Sequence, residues 1–376
     1  MLRHILTSGT AVAAVPTMEV FVARYRDTGG GSGSAAAALS PVDSAIGAGY
    51  AADRLAWAFA GAYQAALRVV LPALPRGAVA ALCATERGGV GPRAMATRVT
   101  RVGGGGGNGG RGSYVVDGEK TFVTMGDHAQ HLAIVCVDGD AAAAGAGGGD
   151  RPSLRLVLLD RARHSGAGVT LAPRPPIAFC PEVSHCVLRL EAVEVRAPRV
   201  AYSQPRARRP TPRTLAGRAA EQPAVHVHRR RVHRALHAPR VPARILICIC
   251  RMGGPYGKCI SAHARAVGNS ARAQVPAESV LEGDAYTAVV KPFRSVEDVA
   301  VLAAALAFLL RLGRGAGWPA GVREELAAGV SAFRSLAALP PGDAATHVAL
   351  AGQIAAAERS IAAIDAAGLW ALVRRA

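Results

Sequence analysis

The sequence predicts an α+β fold with N-terminal helices, a central antiparallel β-barrel or sandwich domain and a C-terminal helical bundle. Residues 51–71 place apolar side chains at helical spacing. Residues 81–195 contain short apolar segments separated by glycine-rich loops, a pattern typical of an antiparallel barrel or sandwich. Helical periodicity returns after Val296. The order along the chain is therefore α, then β, then α.

The N-terminal part divides into two predicted regions. Residues 1–50 are interpreted as an extension that includes a Gly/Ser/Ala linker at 29–39. Its first residues are either a frayed terminus or a weak match to a transit peptide. Residues 51–80 form a helical region, whose predicted helix over 51–71 is ended by Pro72 and Pro75. The stripe of its predicted helix consists of Leu55, Phe59, Ala62 and Ala66.

The central β-domain, residues 81–195, is predicted to contain a hairpin. Its two strands are 114–116 and 120–124, joined by a tight turn at Asp117 and Gly118, because Asp-Gly between apolar runs favours a hairpin turn. Further strands are predicted at 131–137, 154–159, 169–171 and 186–195.

Residues 196–275 differ in composition from the rest of the chain. This segment contains seventeen Lys or Arg against one acidic residue, so it accounts for +16 of the net charge of +18. Three interpretations are open: a disordered insertion, a basic arm that binds nucleic acid, or peptide translated from outside the ancestral frame. Aromatic side chains that could stack on bases are limited to Tyr202 and Tyr256, so we favour the first and third interpretations over nucleic-acid binding.

The C-terminal domain, residues 276–376, is predicted to be helical, with helices at 296–312, 322–339 and from 344 to about 374. Ser295 and Asp298 have the spacing of a capping box. This places Glu297 in the first helical turn, where the helix dipole favours the ionised carboxylate.

Composition excludes two other classes of protein. The longest apolar run, 299–310, is shorter than the roughly 18 residues that a membrane-spanning helix needs, so we expect a soluble protein of the mitochondrial matrix or the cytoplasm. The seven cysteines lack the spacing of a metal site, and we predict no metal.

Two segments resemble motifs of the acyl-CoA dehydrogenase family. The segment TERGGVG at 85–91 is similar to the family stretch Thr-Glu-Pro-Gly-x-Gly-Ser-Asp. The segment GEKTFVT at 118–124 is similar to the family stretch Gly-x-Lys-x-(Trp/Phe)-Ile-(Thr/Ser)-Asn. The resemblance extends over roughly 51–195 and resumes near Val275, and the two motifs occur in the family's order within an α/β/α frame.

The resemblance implies FAD as cofactor and names the residues that would hold it. By analogy, Thr124 bonds the edge of the isoalloxazine ring and Phe122 packs on the ring, as suits a protein that tunes a flavin. Thr85 would lie near the flavin. Gly88 and Gly91 would let the backbone approach the cofactor or the substrate phosphates.

The resemblance also implies α,β-dehydrogenation of an acyl-CoA thioester, which needs a base for the α-proton. Glu297 matches the position of the base in one branch of the family, and Glu358 is the only candidate for the position used in the other branch. Lys291 and Arg294 would bind the phosphates of CoA or of the flavin. The alternative is that these two residues pair with acidic neighbours such as Asp284 and Asp298.

The implied partners are an acyl-CoA substrate, an electron-transfer flavoprotein or similar acceptor, and further copies of the chain in a homodimer or homotetramer. The stretches that hold the ADP half of FAD in the family are absent from this sequence. The alternative function is therefore a catalytically inactive scaffold with this fold. His128 and His185 receive no role.

Overall fold

The computed structural model describes residues 2–27, 39–72, 74–75, 77–102, 112–143, 152–164, 168–178, 180–197, 199–201 and 279–373. The helices are α1 (Leu2–Thr7), α2 (Met18–Asp27), α3 (Pro41–Ala51), α4 (Leu55–Val70), α5 (Gly139–Ala143), α6 (Lys291–Gly315), α7 (Ala320–Leu336), α8 (Ala344–Ala366) and α9 (Trp370–Val373). A π-helical turn over Tyr286–Val290 leads directly into α6, and 3₁₀ turns occupy Pro92–Ala94 and Arg161–Arg163.

The strands belong to one sheet, in the order β6-β7-β3-β2-β4-β5-β9-β8, with β1 paired to β4. They are β1 (Ala80–Cys83), β2 (Arg98–Val102), β3 (Gly112–Thr124), β4 (His131–Asp138), β5 (Leu154–Asp160), β6 (Val169–Pro173), β7 (His185–Ala197), β8 (Arg199–Ala201) and β9 (Ser279–Glu282). Five of the pairs are antiparallel, whereas β1–β4, β2–β4 and β8–β9 are parallel.

The predicted hairpin at Asp117 and Gly118 is wrong, because β3 runs without a turn from 112 to 124. Gly118 has a φ of 142°, and the register between β3 and β7 shifts beside it. The side chain of Asp117 accepts a hydrogen bond of 2.6 Å from the backbone N–H of Ala192 on β7. The Asp-Gly pair therefore faces a β-bulge within the sheet instead of forming a hairpin turn.

The helical part of the N-terminus begins well before the predicted position. The predicted helix over 51–71 is divided, since α3 ends at Ala51 and α4 begins at Leu55. Residues 2–27 are not frayed: Ile5 is fully buried, and its carbonyl accepts a hydrogen bond of 2.5 Å from Arg314 of α6. The predicted linker at 29–39 lies outside the described residues except for its last residue.

The predicted capping box at Ser295 is also wrong, because α6 begins at Lys291 and continues a preceding π-helical turn. Asp284 caps this turn, since its carboxylate accepts hydrogen bonds from the Tyr286 N–H at 3.2 Å and the Thr287 hydroxyl at 2.6 Å. Ser295 is 3% exposed, and its Oγ lies 3.3 Å from Nδ1 of His347 on α8. Ser295 therefore joins two helices of the bundle.

Two apolar clusters flank the sheet. The larger cluster joins the helices to one face of the sheet, and the smaller one is formed by residues of β1–β5, β7 and β9 on the other face. Helices α3 and α6 cross closely, because Gly49 lies against the carbonyl group of Ala304. The α, β, α order and the C-terminal helical bundle predicted from the sequence are confirmed.

Residues 202–275, which are most of the basic segment, lie outside the described residues. The described strands that precede and follow these residues, β8 and β9, are parallel neighbours at one edge of the sheet, where Arg199 pairs with Val280. Of the helices that the structure describes, none is both long and apolar enough to cross a bilayer.

Candidate functional site

A buried ion pair joins the two segments that carry the motifs. Lys120 of β3 is fully buried, and its Nζ lies 2.6 Å from Oε1 of Glu86, which is 6% exposed. Glu86 also accepts hydrogen bonds from the N–H groups of Ala96 at 2.6 Å and Thr97 at 3.1 Å. Although burial alone raises the pKa of Glu86, Lys120 and these donors hold it below its usual value. The pair fixes the position of the 85–91 turn against β3.

A β-bulge in β3 sets the direction of the Phe122 side chain. Between Lys120 and Val123, β3 takes three residue steps where β7 takes two, and Phe122 forms a bridge with Thr85 at this point. Val123 belongs to the smaller apolar cluster, so Phe122 and Thr124 point to the opposite face. Residues in a bridge share a face, so Thr85 lies beside Phe122. Bulges are frequent next to active sites because they redirect side chains.

The glycine-rich segment after Thr85 is a tight turn. Glu86 and Gly89 exchange two backbone hydrogen bonds, of 3.0 Å and 2.9 Å. Gly89 has a φ of 110°, so Gly89 is the glycine that this turn requires. Gly88 lies against Ala94, and space is open around Gly91. The structure therefore places Gly88 in the turn that follows Thr85, and Gly91 directly before the 3₁₀ turn Pro92–Ala94.

Two side chains lie against the ring of Phe122. The rings of Phe122 and His185 have centroids 4.4 Å apart, and the guanidinium of Arg174 lies 5.3 Å from the Phe122 centroid. Phe122 is partly exposed, whereas His185 is 3% exposed and burial lowers its pKa. His185 and Arg174 line a recess of about 280 Å³ that also borders α2 and His128.

The residue after Thr124 has an unusual backbone conformation. Met125 has a φ of 58° and is fully buried, with its sulfur 3.6 Å from the side-chain amide of Gln64 on α4. The left-handed region is favourable for Asn, the residue that the family stretch has here, and unfavourable for Met. This position therefore combines backbone strain of about 1 kcal/mol with a well-packed side chain.

Glu297 lies in α6, and burial determines its protonation state. Burial and, to a smaller extent, the neighbouring Asp298 raise the pKa of Glu297 to about 8. The expectation of a dipole-stabilised carboxylate is thus wrong, since α6 begins at Lys291 and Glu297 lies beyond its first turn. Burial raises the pKa of Tyr63 on α4, and the Glu297 carboxylate adds to this effect. The hydroxyl of Tyr63 accepts a hydrogen bond of 3.0 Å from Leu82 of β1, so Glu297 lies within electrostatic range of the α4–β1 junction.

The two predicted substrate-binding cations precede Glu297 on α6, Arg294 by about one turn and Lys291 by nearly two. Lys291 and Arg294 are both exposed on α6. Arg294 approaches Asp298, with 3.7 Å between Nε and Oδ2, which agrees with the alternative prediction of pairing. Such an exposed pair is weak, so Arg294 can exchange this partner for an anionic ligand at little cost.

The structure brings Thr85, Phe122 and Thr124 onto one face, and the turn that contains Gly88 directly follows Thr85. Glu297, Lys291 and Arg294 lie on the helical side of the molecule. Sequence reasoning missed Glu86, Lys120 and Arg174 as parts of the site. Glu86 and Lys120 stood within the two motifs, and their opposite charges were the signal that could have identified them. Within the described parts of the chain, no three His, Cys, Asp or Glu side chains converge as a metal site would require.

Comparisons with known proteins agree with the fold. No protein-family model and no curated protein matches the sequence. A solved FAD-dependent dehydrogenase superposes with a TM-score of 0.51 at 11% identity, over 96% of this chain and 82% of that one. A glutaryl-CoA dehydrogenase from Mycobacterium smegmatis, in complex with FADH2, gives a TM-score of 0.44 at 11% identity, over 99% of this chain and 81% of that one. The α+β fold predicted from the sequence is confirmed, and the solved FAD-dependent dehydrogenase shares it.

Proposed function

We propose that this chain is an FAD-dependent dehydrogenase that introduces an α,β double bond into an acyl-CoA thioester. The observation that carries the proposal is the shared face of Thr85, Phe122 and Thr124, which the buried Glu86–Lys120 pair holds in place. Two segments that are about 30 residues apart in the sequence, and that both resemble motifs of flavin dehydrogenases, meet there in space.

The residues on this face fit the ring system of FAD. Phe122 offers a partly exposed aromatic surface, and the two threonines supply hydroxyl groups that can bond polar ring edges. The buried Nδ1 atom of His185, next to Phe122, has no hydrogen-bond partner among the described residues. FAD, when bound, supplies the acceptor for the hydride that leaves the substrate β-carbon.

Glu297 is the proposed base, and its carboxylate accepts the α-proton of the thioester. A base is most effective when its pKa is close to the working pH, and burial raises the pKa of Glu297 to about 8. The proton gained by this carboxylate is retained until product leaves and solvent re-enters. Lys291 and Arg294, both exposed on the same helix, hold the anionic phosphates of the CoA moiety.

The proposed partners follow from this reaction. The two electrons taken from the substrate pass to an electron-transfer flavoprotein or a similar acceptor. A homodimer or homotetramer is proposed because α8 exposes a largely alanine face, on which Val348 is 75% exposed.

Two matched variants test the assignment of the base. In Glu297→Gln we expect turnover of an accepted acyl-CoA to fall by about 10² to 10⁴, because that is the usual contribution of a general base. The control is Glu358→Gln in α8, which we expect to leave turnover unchanged. Loss of activity in Glu358→Gln with full activity in Glu297→Gln would move the base to α8. FAD binding without turnover of any acyl-CoA would favour the inactive scaffold.

A further inference from the structure

One cation stands directly over the aromatic ring of the proposed flavin face. The Arg174 backbone N–H donates a 2.8 Å hydrogen bond to the carbonyl of His185, which fixes the start of the 174–184 connection against β7. The Arg174 guanidinium lies 5.3 Å from the Phe122 ring centroid and donates a hydrogen bond to the carbonyl of Thr121. The side chain is thus held at the ring by a cation–π contact and one neutral acceptor.

Two nearby cations have more partners than Arg174 has. Arg161 donates to three backbone carbonyls of the 126–129 turn, at 2.7 to 3.0 Å. Arg54 approaches Asp53 and Glu182, at 3.2 Å and 3.5 Å. Among the ion pairs of the described residues, Arg174 takes part in none. Its exposed guanidinium therefore has hydrogen-bond donors available for an anionic group.

The neighbouring histidine does not add charge. Burial lowers the pKa of His185, and the positive charge of Arg174 lowers it further, so His185 is neutral at physiological pH. His128 also lines the recess and pairs with Asp127, with 3.5 Å between Nε2 and Oδ2. Of the described side chains in contact with the Phe122 ring, Arg174 is therefore the one that carries a charge.

From this geometry we infer that Arg174 is a positioning residue that holds a positive charge beside the ring of bound FAD and stabilises its reduced state. This inference rests on the proposed function. A hydride carries two electrons and one proton, so its transfer would add one negative charge to the ring, and hydrogen bonds to a charged group are about twice as strong as neutral ones. Charge near the ring is a principal means by which a protein tunes a flavin. Arg174 therefore favours the reduced form more than the oxidised form.

The expected effect is measurable without any substrate. Arg174→Met replaces the guanidinium by an apolar side chain. We expect this substitution to weaken the binding of reduced FAD roughly tenfold more than the binding of oxidised FAD, because one charge-assisted hydrogen bond is lost. For a two-electron couple, a tenfold change corresponds to a midpoint potential about 30 mV more negative. Arg174→Lys keeps the charge and should recover most of this shift.

The experiment measures the midpoint potential of the FAD-loaded full chain by dye equilibration, and the dissociation constant of oxidised FAD by fluorescence. The control is Arg189→Met, which removes an exposed cation that pairs with Glu119 at 2.9 Å on the neighbouring strands. A shift confined to Arg174→Met and reversed in Arg174→Lys supports the inference. An unchanged potential in FAD-loaded Arg174→Met, or an equal shift in Arg189→Met, overturns it and leaves the proposed function standing. If the unsubstituted chain does not bind FAD, the proposed function and this inference fail together.

Discussion

Lys120→Met should destabilise the protein by about 3–5 kcal/mol, because it removes one partner of a buried ion pair. In the structure the Lys120 ammonium contacts Oε1 of Glu86 at 2.6 Å and the carbonyl of Val135 at 2.5 Å, with no exposed surface. The substitution leaves a buried carboxylate without its counter-charge and a carbonyl without its donor. The two backbone N–H groups that still bind Glu86 limit the loss but do not replace a charge.

The assay is the free energy of unfolding from denaturant titration, with Arg189→Met as the matched control. Arg189 pairs with Glu119 across β7 and β3, but their side chains are 56% and 35% exposed, so we expect a loss below about 1 kcal/mol. In the double variant Lys120→Met/Glu86→Gln, removal of both charges should cost less than the sum of the single losses, with a coupling of about 1 kcal/mol or more. Equal losses in Lys120→Met and Arg189→Met would refute the view that this pair holds the two motifs together.

Three further predictions follow from the helices. If Glu297 is the base, kcat/KM should rise with pH through an apparent pKa near 8, because the carboxylate is the active form; a flat pH–rate profile would contradict this. Because folding raises the pKa of Glu297, the protonated form stabilises the fold and this contribution is lost as pH rises through 8. Thermal unfolding should therefore show Glu297→Gln to be more stable than the unsubstituted chain at pH 9 and nearly equal to it at pH 5. A gain of the same size at both pH values would argue against a raised pKa for Glu297. Gly49→Ala should lower the free energy of unfolding by about 1–3 kcal/mol, since a Cβ would overlap the carbonyl of Ala304. The control Gly352→Ala, on the open face of α8, should stabilise the protein slightly. Equal melting temperatures of the two variants would contradict the close α3–α6 crossing.

Much of the fold follows from local sequence patterns. The strands β4, β5, β6 and β7 were predicted within about two residues, because each is a short apolar run bounded by glycine or polar residues. The hairpin failed because an Asp-Gly pair suits a bulge as well as a turn, and the long strand β7 decides between the two by pairing with β3 on both sides of Gly118. Helix α1 was missed because its anchoring hydrogen bond comes from Arg314 of α6, some 300 residues away, which donates to the Ile5 carbonyl.

Only some residues of the candidate site could be predicted from local sequence. Thr85, Phe122 and Thr124 follow from resemblance to two short motifs, and the structure places them together. The protonation state of Glu297 could not be predicted, since it depends on burial between α6 and its neighbours, which outweighs the local helix dipole. Arg174 was missed because it follows β6, distant in sequence from Phe122, and reaches the ring only through the pairing of β6, β7 and β3.

The most direct test of the proposed function is an anaerobic visible absorption spectrum of the full chain reconstituted with FAD, recorded before and after addition of a panel of acyl-CoA thioesters. We predict a bound-flavin band that bleaches with at least one thioester, because the α-proton passes to Glu297 while the flavin is reduced. A chain that takes up no FAD, or a flavin band that no acyl-CoA bleaches, would contradict the account.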